Sequence, residues 1–270
     1  MLNNISLGRY VETGSVLHRT DPRIKVILYI VYLIAIFTVN TPAALVALSV
    51  LTAVQLIAGK IPAGVIWSTV KPVLPLTVFV FVINLLTLKQ GNELWSWRFL
   101  LITDTGLCRA GLMSARLLFL ILCTSVFLTL TTTPLKISDA LESLLSPLRI
   151  IHVPVHEAAM MMSIALRFIP TLIEETDKIM KAQQSRGADY DTGSFVSRVK
   201  GYITVLIPLF VSSFRRADEL AVAMDARCYR GGEGRTKLNP LKITGRDIFV
   251  MVLFLLGAFL LIAVELLSRG

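Results

Sequence analysis

Residues 24–58 read IKVILYIVYLIAIFTVNTPAALVALSVLTAVQLIA, and Lys25 is the only charged residue among them. Two apolar runs, Ile24 to Val39 and Pro42 to Ala58, are separated by Asn40 and Thr41 alone. Crossing bilayer hydrocarbon takes about 17–25 mostly apolar helical residues. A backbone deprived of water must satisfy its own polar groups, so an isolated span of this kind is a helix. The stretch therefore predicts two membrane spans joined as a tight helical hairpin. Further along the chain, Pro72 to Leu88, Gly111 to Thr133 and Ile248 to Leu267 are apolar runs of the same kind. None shows the period-2 alternation of a barrel strand. The expected fold class is all-α: a polytopic membrane protein with about five transmembrane helices and a cytoplasmic pair of long coupling helices.

Composition supports this. Of 270 residues, 54% are hydrophobic and 17% charged, against a charged share of about 25% in soluble domains. The mean hydropathy of +0.71 exceeds what one water-soluble core absorbs, which argues against a soluble enzyme. A net charge of +9 in so apolar a chain marks cytoplasmic loops rather than a nucleic-acid surface, so no nucleic-acid partner is expected. Cys108, Cys123 and Cys228 show no CxxC spacing, so neither a disulfide framework nor a zinc site is indicated. Residues 1–23 are polar and mixed in charge, and no signal peptide is expected.

Loop charges set the orientation. Arg9, Arg19 and Arg23 precede the first span and Lys25 sits at its edge, Lys60 and Lys71 follow the second, and the 40–41 turn carries none. The 89–110 loop is nearly balanced. Basic residues collect on the cytoplasmic side, so the N-terminus, the 59–71 loop and residues 134–246 are assigned to the cytoplasm of a multi-pass inner (cytoplasmic) membrane protein. Three regions result: four spans in 1–133, a membrane-proximal coupling-helix region in 134–246, and a C-terminal span in 247–270. The middle region alone holds sixteen of the 27 Lys and Arg residues.

That middle region repeats a design. After a short amphipathic helix over Leu135 to Leu148, a helix from His156 to about Ser185 is apolar in its first half and charged in its second. Gly187 supplies its stop. A second helix is apolar from Tyr202 to Phe214, then charged, ending near Arg227. Ile169-Pro170 precedes Ser185-Arg186-Gly187, and Ile207-Pro208 precedes Ala226-Arg227-Cys228. Sixteen residues separate proline from arginine in the first and 19 in the second, so each arm extends roughly 24–28 Å. An arginine at a helix C-terminus can simply favour the dipole, worth about 0.3–1 kcal/mol. Two in matched contexts point instead to docking, because a guanidinium fork fixes the orientation of a carboxylate or carbonyl pair in a way that a lysine does not.

The chain resembles the transmembrane coupling subunit of energy-coupling factor (ECF) transporters, which import cobalt, nickel and vitamins. The likeness runs through Thr132-Thr133-Pro134, Ala140-Leu141-Glu142, Pro147-Leu148, Ala165-Leu166-Arg167-Phe168-Ile169-Pro170, Ser185-Arg186-Gly187, Pro208-Leu209 and Ala226-Arg227-Cys228-Tyr229. The family signature is a pair of short motifs, each an arginine between two small residues. Here Ser185 replaces the usual alanine and Cys228 the usual glycine. The resemblance implies that Ser185, Arg186, Gly187, Ala226, Arg227 and Cys228 dock two cytoplasmic ATPases, with Arg167, Pro170 and Pro208 as coupling or structural residues. It also implies that the membrane helices hold a small substrate-binding membrane subunit. ATP and Mg would be bound by the ATPases, and no cofactor or metal is expected in this chain. The residues agree, because Gly231 to Thr236 lacks the spacing and lysine of a phosphate loop. A non-catalytic subunit follows.

Other readings are weaker. His152, His156 and Glu157 could be metal ligands, but Pro154 separates the histidines and the neighbouring methionines suit packing. Glu174-Glu175 resembles the paired glutamates of an intramembrane hydrolase, without the arginine and histidines that motif needs. A stand-alone carrier would need polar residues along a pathway, and Arg116 is the main intramembrane charge; snorkelling to the interface accounts for it. Arg167 could pair with Glu142 or Glu157. Trp95 and Trp97 read as an interfacial aromatic belt.

Overall fold

Two short polar-proline signals start the first long helices. Asp21 accepts the Arg23 N–H (2.8 Å) ahead of Pro22, and Thr41 accepts the Ala44 N–H (3.4 Å) ahead of Pro42. A side-chain acceptor supplies a partner that the first turn lacks, and proline fits the first helical position. In this computed structural model, which describes residues 14–87, 93–97, 100–188, 195–231 and 241–269, these signals open α2 (Pro22–Thr38) and α3 (Pro42–Ala58), after a short α1 (Val16–Arg19). Next come α4 (Ala63–Val70), α5 (Leu74–Thr87), an antiparallel hairpin of β1 (Glu93–Trp97) and β2 (Leu100–Thr103), and α6 (Asp104–Thr124). A wide π turn over Ser125–Leu130 extends α6. The remaining helices are α7 (Pro134–Leu144), a 3-10 segment Ser146–Ile151, α8 (Val155–Ser185), α9 (Phe195–Ala226) and α10 (Gly245–Arg269).

The chain is an all-α membrane protein; the five apolar runs fall on α2, α3, α5, α6 and α10, of which two to three among the described residues are long and apolar enough to span and α3 is a shorter apolar helix. Asp104–Phe127 and Gly245–Ser268 are each long and apolar enough to cross a membrane alone. Ala63–Val70 and Leu74–Thr87 qualify together as a pair bent by 52°. The third span thus differs from the expected Pro72–Leu88: Pro72 has no N–H to donate and disfavours helix at Lys71, so the apolar run starts earlier, as α4, and bends. The fourth begins seven residues before the expected Gly111. Leu88, Lys89 and Arg98 lie outside the described residues, as do Arg9, Asp189 to Gly193 and Gly232 to Thr236. Trp95 and Trp97 fall on β1, with side chains outside the description.

The described residues form two compact units, one of residues 14–140 and 241–269 and one of residues 141–188 and 195–231. In the first, α2 packs against α6 and α10 around Leu28, Tyr32, Ile36, Phe127, Phe254 and Leu261. The Phe127 and Phe254 rings meet edge to face at 5.6 Å, a favoured aromatic geometry. Ile30, Ile34 and Phe37 of α2 and Leu256, Phe259 and Leu260 of α10 remain exposed, while Tyr32–Thr52 and Tyr29–Thr124 hydrogen bonds lie inside. Apolar outside and hydrogen-bonded inside is the arrangement hydrocarbon solvent selects.

Polar latches hold both ends of this bundle. Asp247 Oδ1 accepts the Asp21 N–H (3.0 Å), tying the start of α10 to the start of α2. Eighteen residues later, Glu265 Oε2 accepts the Asn40 and Thr41 N–H groups (both 3.1 Å), tying the end of α10 to the turn after α2. The two helices therefore run parallel, their latches about 27 Å apart at 1.5 Å per residue, close to the roughly 30 Å of bilayer hydrocarbon.

Candidate functional site

The described residues 141–188 and 195–231 form the second unit, built on α8 and α9. Each helix is over 30 residues long and each carries an internal proline, Pro170 or Pro208. Their packing register is set by polar and apolar contacts together. Glu175 of α8 accepts hydrogen bonds from Ser212 and from Arg216 Nη2 (2.8 Å) of α9. Met160, Ile164 and Arg167 of α8 share a cavity of about 520 Å³ with Met224, Arg227 and Tyr229. Early α8 thus faces late α9, so the helices run antiparallel, and the apolar start of one lies against the arginine end of the other.

Both motifs fold into the same helix stop. After α8, Gly187 N–H bonds Gln184 O (3.0 Å) and Ala188 N–H bonds Gln183 O (2.9 Å), with Gly187 left-handed at φ +88°. After α9, Cys228 N–H bonds Asp225 O (2.9 Å) and Tyr229 N–H bonds Met224 O (3.0 Å), with Cys228 left-handed at φ +57°. Paired bonds of this kind around one left-handed residue form a Schellman cap. The motifs thereby acquire a conformational meaning. Each arginine is the cap residue, one step past the last helical position and exposed to solvent, and the third motif residue turns the chain away beneath it. Glycine adopts that conformation freely, whereas cysteine does so against steric cost.

The antiparallel packing separates the two arginines. Glu175 lies eleven residues from Arg186, and Ser212 fifteen from Arg227, so along the pair they stand as much as about 40 Å apart. Ser185 and Ala226 close their helices beside them. Arg167 faces the cavity that Arg227 and Cys228 also line. Neither of the pairings open to Arg167, with Glu142 or with Glu157, is formed. Glu142 instead accepts from His156 Nδ1 (2.8 Å), with Arg149 at 4.0 Å. His152 caps the 3-10 segment in a left-handed conformation. Among the described residues no three His, Cys, Asp or Glu side chains form a metal-holding group. Glu175, one of the paired glutamates, is committed to the helix crossing.

Apolar surface is the other feature of this unit. Ile150 and Ile151 are 82% and 65% exposed, and Ile207, Phe210 and Phe214 of α9 are also bare. The expected amphipathic helix over 135–148 ends at Leu144, because Pro147 restarts the chain as a 3-10 turn. Leu141, Leu145 and Leu148 point outward rather than into a core. Exposed apolar patches of this extent mark contact with a partner or a membrane.

An apolar bundle for hydrocarbon and a capped helix pair with bare apolar flanks define a membrane component that works with other molecules. Residues 13–238 match the cobalt transport protein family, CbiQ, and the chain belongs to that family. It is similar to the energy-coupling factor transporter transmembrane protein EcfT of Ruminiclostridium cellulolyticum, at 52% identity over 93% of each chain. The proteins of the same name from Clostridium kluyveri (44% identity; 100% of this chain, 98% of the relative) and Bacillus subtilis (43%; 97% and 98%) are also similar.

Proposed function

We propose that this chain is the coupling subunit of an ECF-type importer, linking ATP hydrolysis by two cytoplasmic ATPases to movement of a separate membrane subunit that binds a vitamin or transition-metal ion. The observation that carries the reading is the pair of identically capped arginines at opposite ends of one antiparallel helix pair. Two ATPases need two equivalent contacts, and this geometry supplies them. Each cap fixes the backbone beneath a guanidinium fork, so a carboxylate or carbonyl pair on the ATPase is met in one orientation.

Relative motion of the ATPases would push on the two ends of the pair, and the Glu175–Arg216–Ser212 crossing would act as the pivot. The bare apolar surface of α9 and of residues 141–151 would pass that motion to the substrate-binding subunit. On this reading the chain hydrolyses no ATP, the N-terminus and residues 134–246 are cytoplasmic, and the 40–41 turn faces outward. The test is co-purification of the tagged chain from its native membrane, with mass spectrometry, beside Arg186→Glu plus Arg227→Glu. Recovery of ATPases with the native chain and not with the variant supports the coupling role. Equal recovery with both removes it.

A further inference from the structure

The cavity of about 520 Å³ at the Arg227 end of the helix pair gathers more positive charge than the motif arginine alone. Arg167 of α8, with Arg227 and Arg230 at and beyond the end of α9, lines it over a floor that includes Met160, Ile164 and Met224. The three arginines are exposed and the three apolar residues half-buried. No described carboxylate forms an ion pair with any of the three arginines. The acids of this unit that do hold partners are spent elsewhere, Glu142 on His156 and Glu175 on Arg216.

We propose, resting on the docking role given above to Arg227, that Arg167 and Arg230 complete one receptor pocket with it, whose occupant is an acidic side chain flanked by an apolar one on a partner ATPase. Like charges gathered in one cavity repel until an anion answers them. Several guanidinium forks closing on one acidic group is the way arginine clusters recognise acidic motifs. The floor sets a second requirement. Methionine is flexible and polarizable, so Met160 and Met224 adapt to an inserted apolar side chain, and a buried anchor ringed by polar contacts is the usual centre of an interface. A free anion would leave that floor uncovered. Arg167 stands 60 residues before Arg227 and on the other helix, so an ATPase held by both grips α8 and α9 together. A push at this end then moves the pair as one body.

The test uses the full chain in nanodiscs and, as probe, the ATPases that co-purify with the native chain. Affinity is measured at rising NaCl for the native chain, Arg167→Gln and Arg230→Gln. Arg246→Gln, exposed at the start of α10, controls for net charge. Arg167→Lys and Arg230→Lys keep the charge and supply an amine that carbodiimide joins to a touching carboxylate, which mass spectrometry then locates.

Affinity should fall about tenfold in Arg167→Gln and in Arg230→Gln, the scale of one charge-assisted hydrogen bond, with a shallower salt dependence, and hold in Arg246→Gln. Both lysine variants should cross-link to an acidic residue of an ATPase. Unchanged affinity in both glutamine variants overturns the proposal, and so does a fall in affinity without an ATPase cross-link from either lysine variant, the mark of a purely structural role. In both cases loss of ATPases from Arg186→Glu plus Arg227→Glu would leave the coupling role standing. ATPases retained on that double variant would remove the coupling role and the pocket with it.

Discussion

Gly187 and Cys228 occupy the same backbone position in two different helices: each is the left-handed residue of a Schellman cap, one step after an exposed arginine. The equivalence explains why a small residue follows the arginine in both motifs. The side chain itself contacts nothing required for the cap, and the backbone angle is what matters. For Gly187, a Cβ would meet open space, so the cost of substituting it is conformational rather than steric crowding.

Cys228→Gly should therefore stabilise the end of α9 by about 1 kcal/mol, and Gly187→Ala should destabilise the end of α8 by a similar amount. Hydrogen exchange at the Cys228 and Tyr229 amides reads the first change, and at Gly187 and Ala188 the second. Faster exchange in Cys228→Gly than in the native chain would contradict the cap assignment.

Gly257 lets α10 approach α3. A Cβ there would lie 2.6 Å from Leu51 Cδ1, contact that only a shift of the leucine end can relieve. Gly257→Val should lower stability by about 1–3 kcal/mol, and Leu51→Ala in the same chain should restore part of it. Thermal unfolding in detergent measures both, and an unchanged midpoint for Gly257→Val would contradict the close packing.

Lys25 is 2% exposed, and its Nζ donates to His18 O (3.2 Å), Thr131 O (2.9 Å) and Thr132 Oγ1 (3.4 Å). The lysine joins the start of α2 to the end of the π turn, just before the chain enters α7. Lys25→Met would remove the donor that those oxygens share, at a cost of about 2–3 kcal/mol. Proteolysis near residues 131–134 should become faster in that variant while α10 stays protected; native-like resistance would show that the contact carries no stability.

The Glu175–Arg216 pair is partly solvated, so its coupling energy should be about 1 kcal/mol or less. In a double-mutant cycle, Glu175→Ala plus Arg216→Ala should then cost nearly the sum of the two single changes, to within about 1 kcal/mol. An intramembrane hydrolase would respond otherwise, losing an activity of the isolated chain with Glu175→Ala and keeping it with Arg216→Ala.

Much of this fold was legible in local pattern. Pro42 to Ala58 was read to the residue, Ile24 to Val39 to within two, and both long helices emerged from apolar halves followed by charged ones. Local pattern failed where a proline or a distant partner decided the outcome. Lys71-Pro72 turned one expected span into a bent pair, and β1 and β2 pair within a segment that was read only as a loop with an aromatic belt. Arg167 lost Glu142 to His156, fourteen residues from that glutamate, a choice set by tertiary packing. The motif arginines were identified from spacing, but the antiparallel register that separates them was not. It depends on Glu175 meeting Ser212 and Arg216, 37 and 41 residues away. The bonds of Arg116 to Val39 O and Asn40 Oδ1 were likewise hidden, because snorkelling alone accounted for that arginine.

The most direct test of the central claim is the subunit stoichiometry of the purified complex without nucleotide, by native mass spectrometry. Two equivalent docking points predict two ATPases on the native chain, one on Arg186→Glu or Arg227→Glu, and none on the double variant. Two ATPases retained on the double variant would contradict the account.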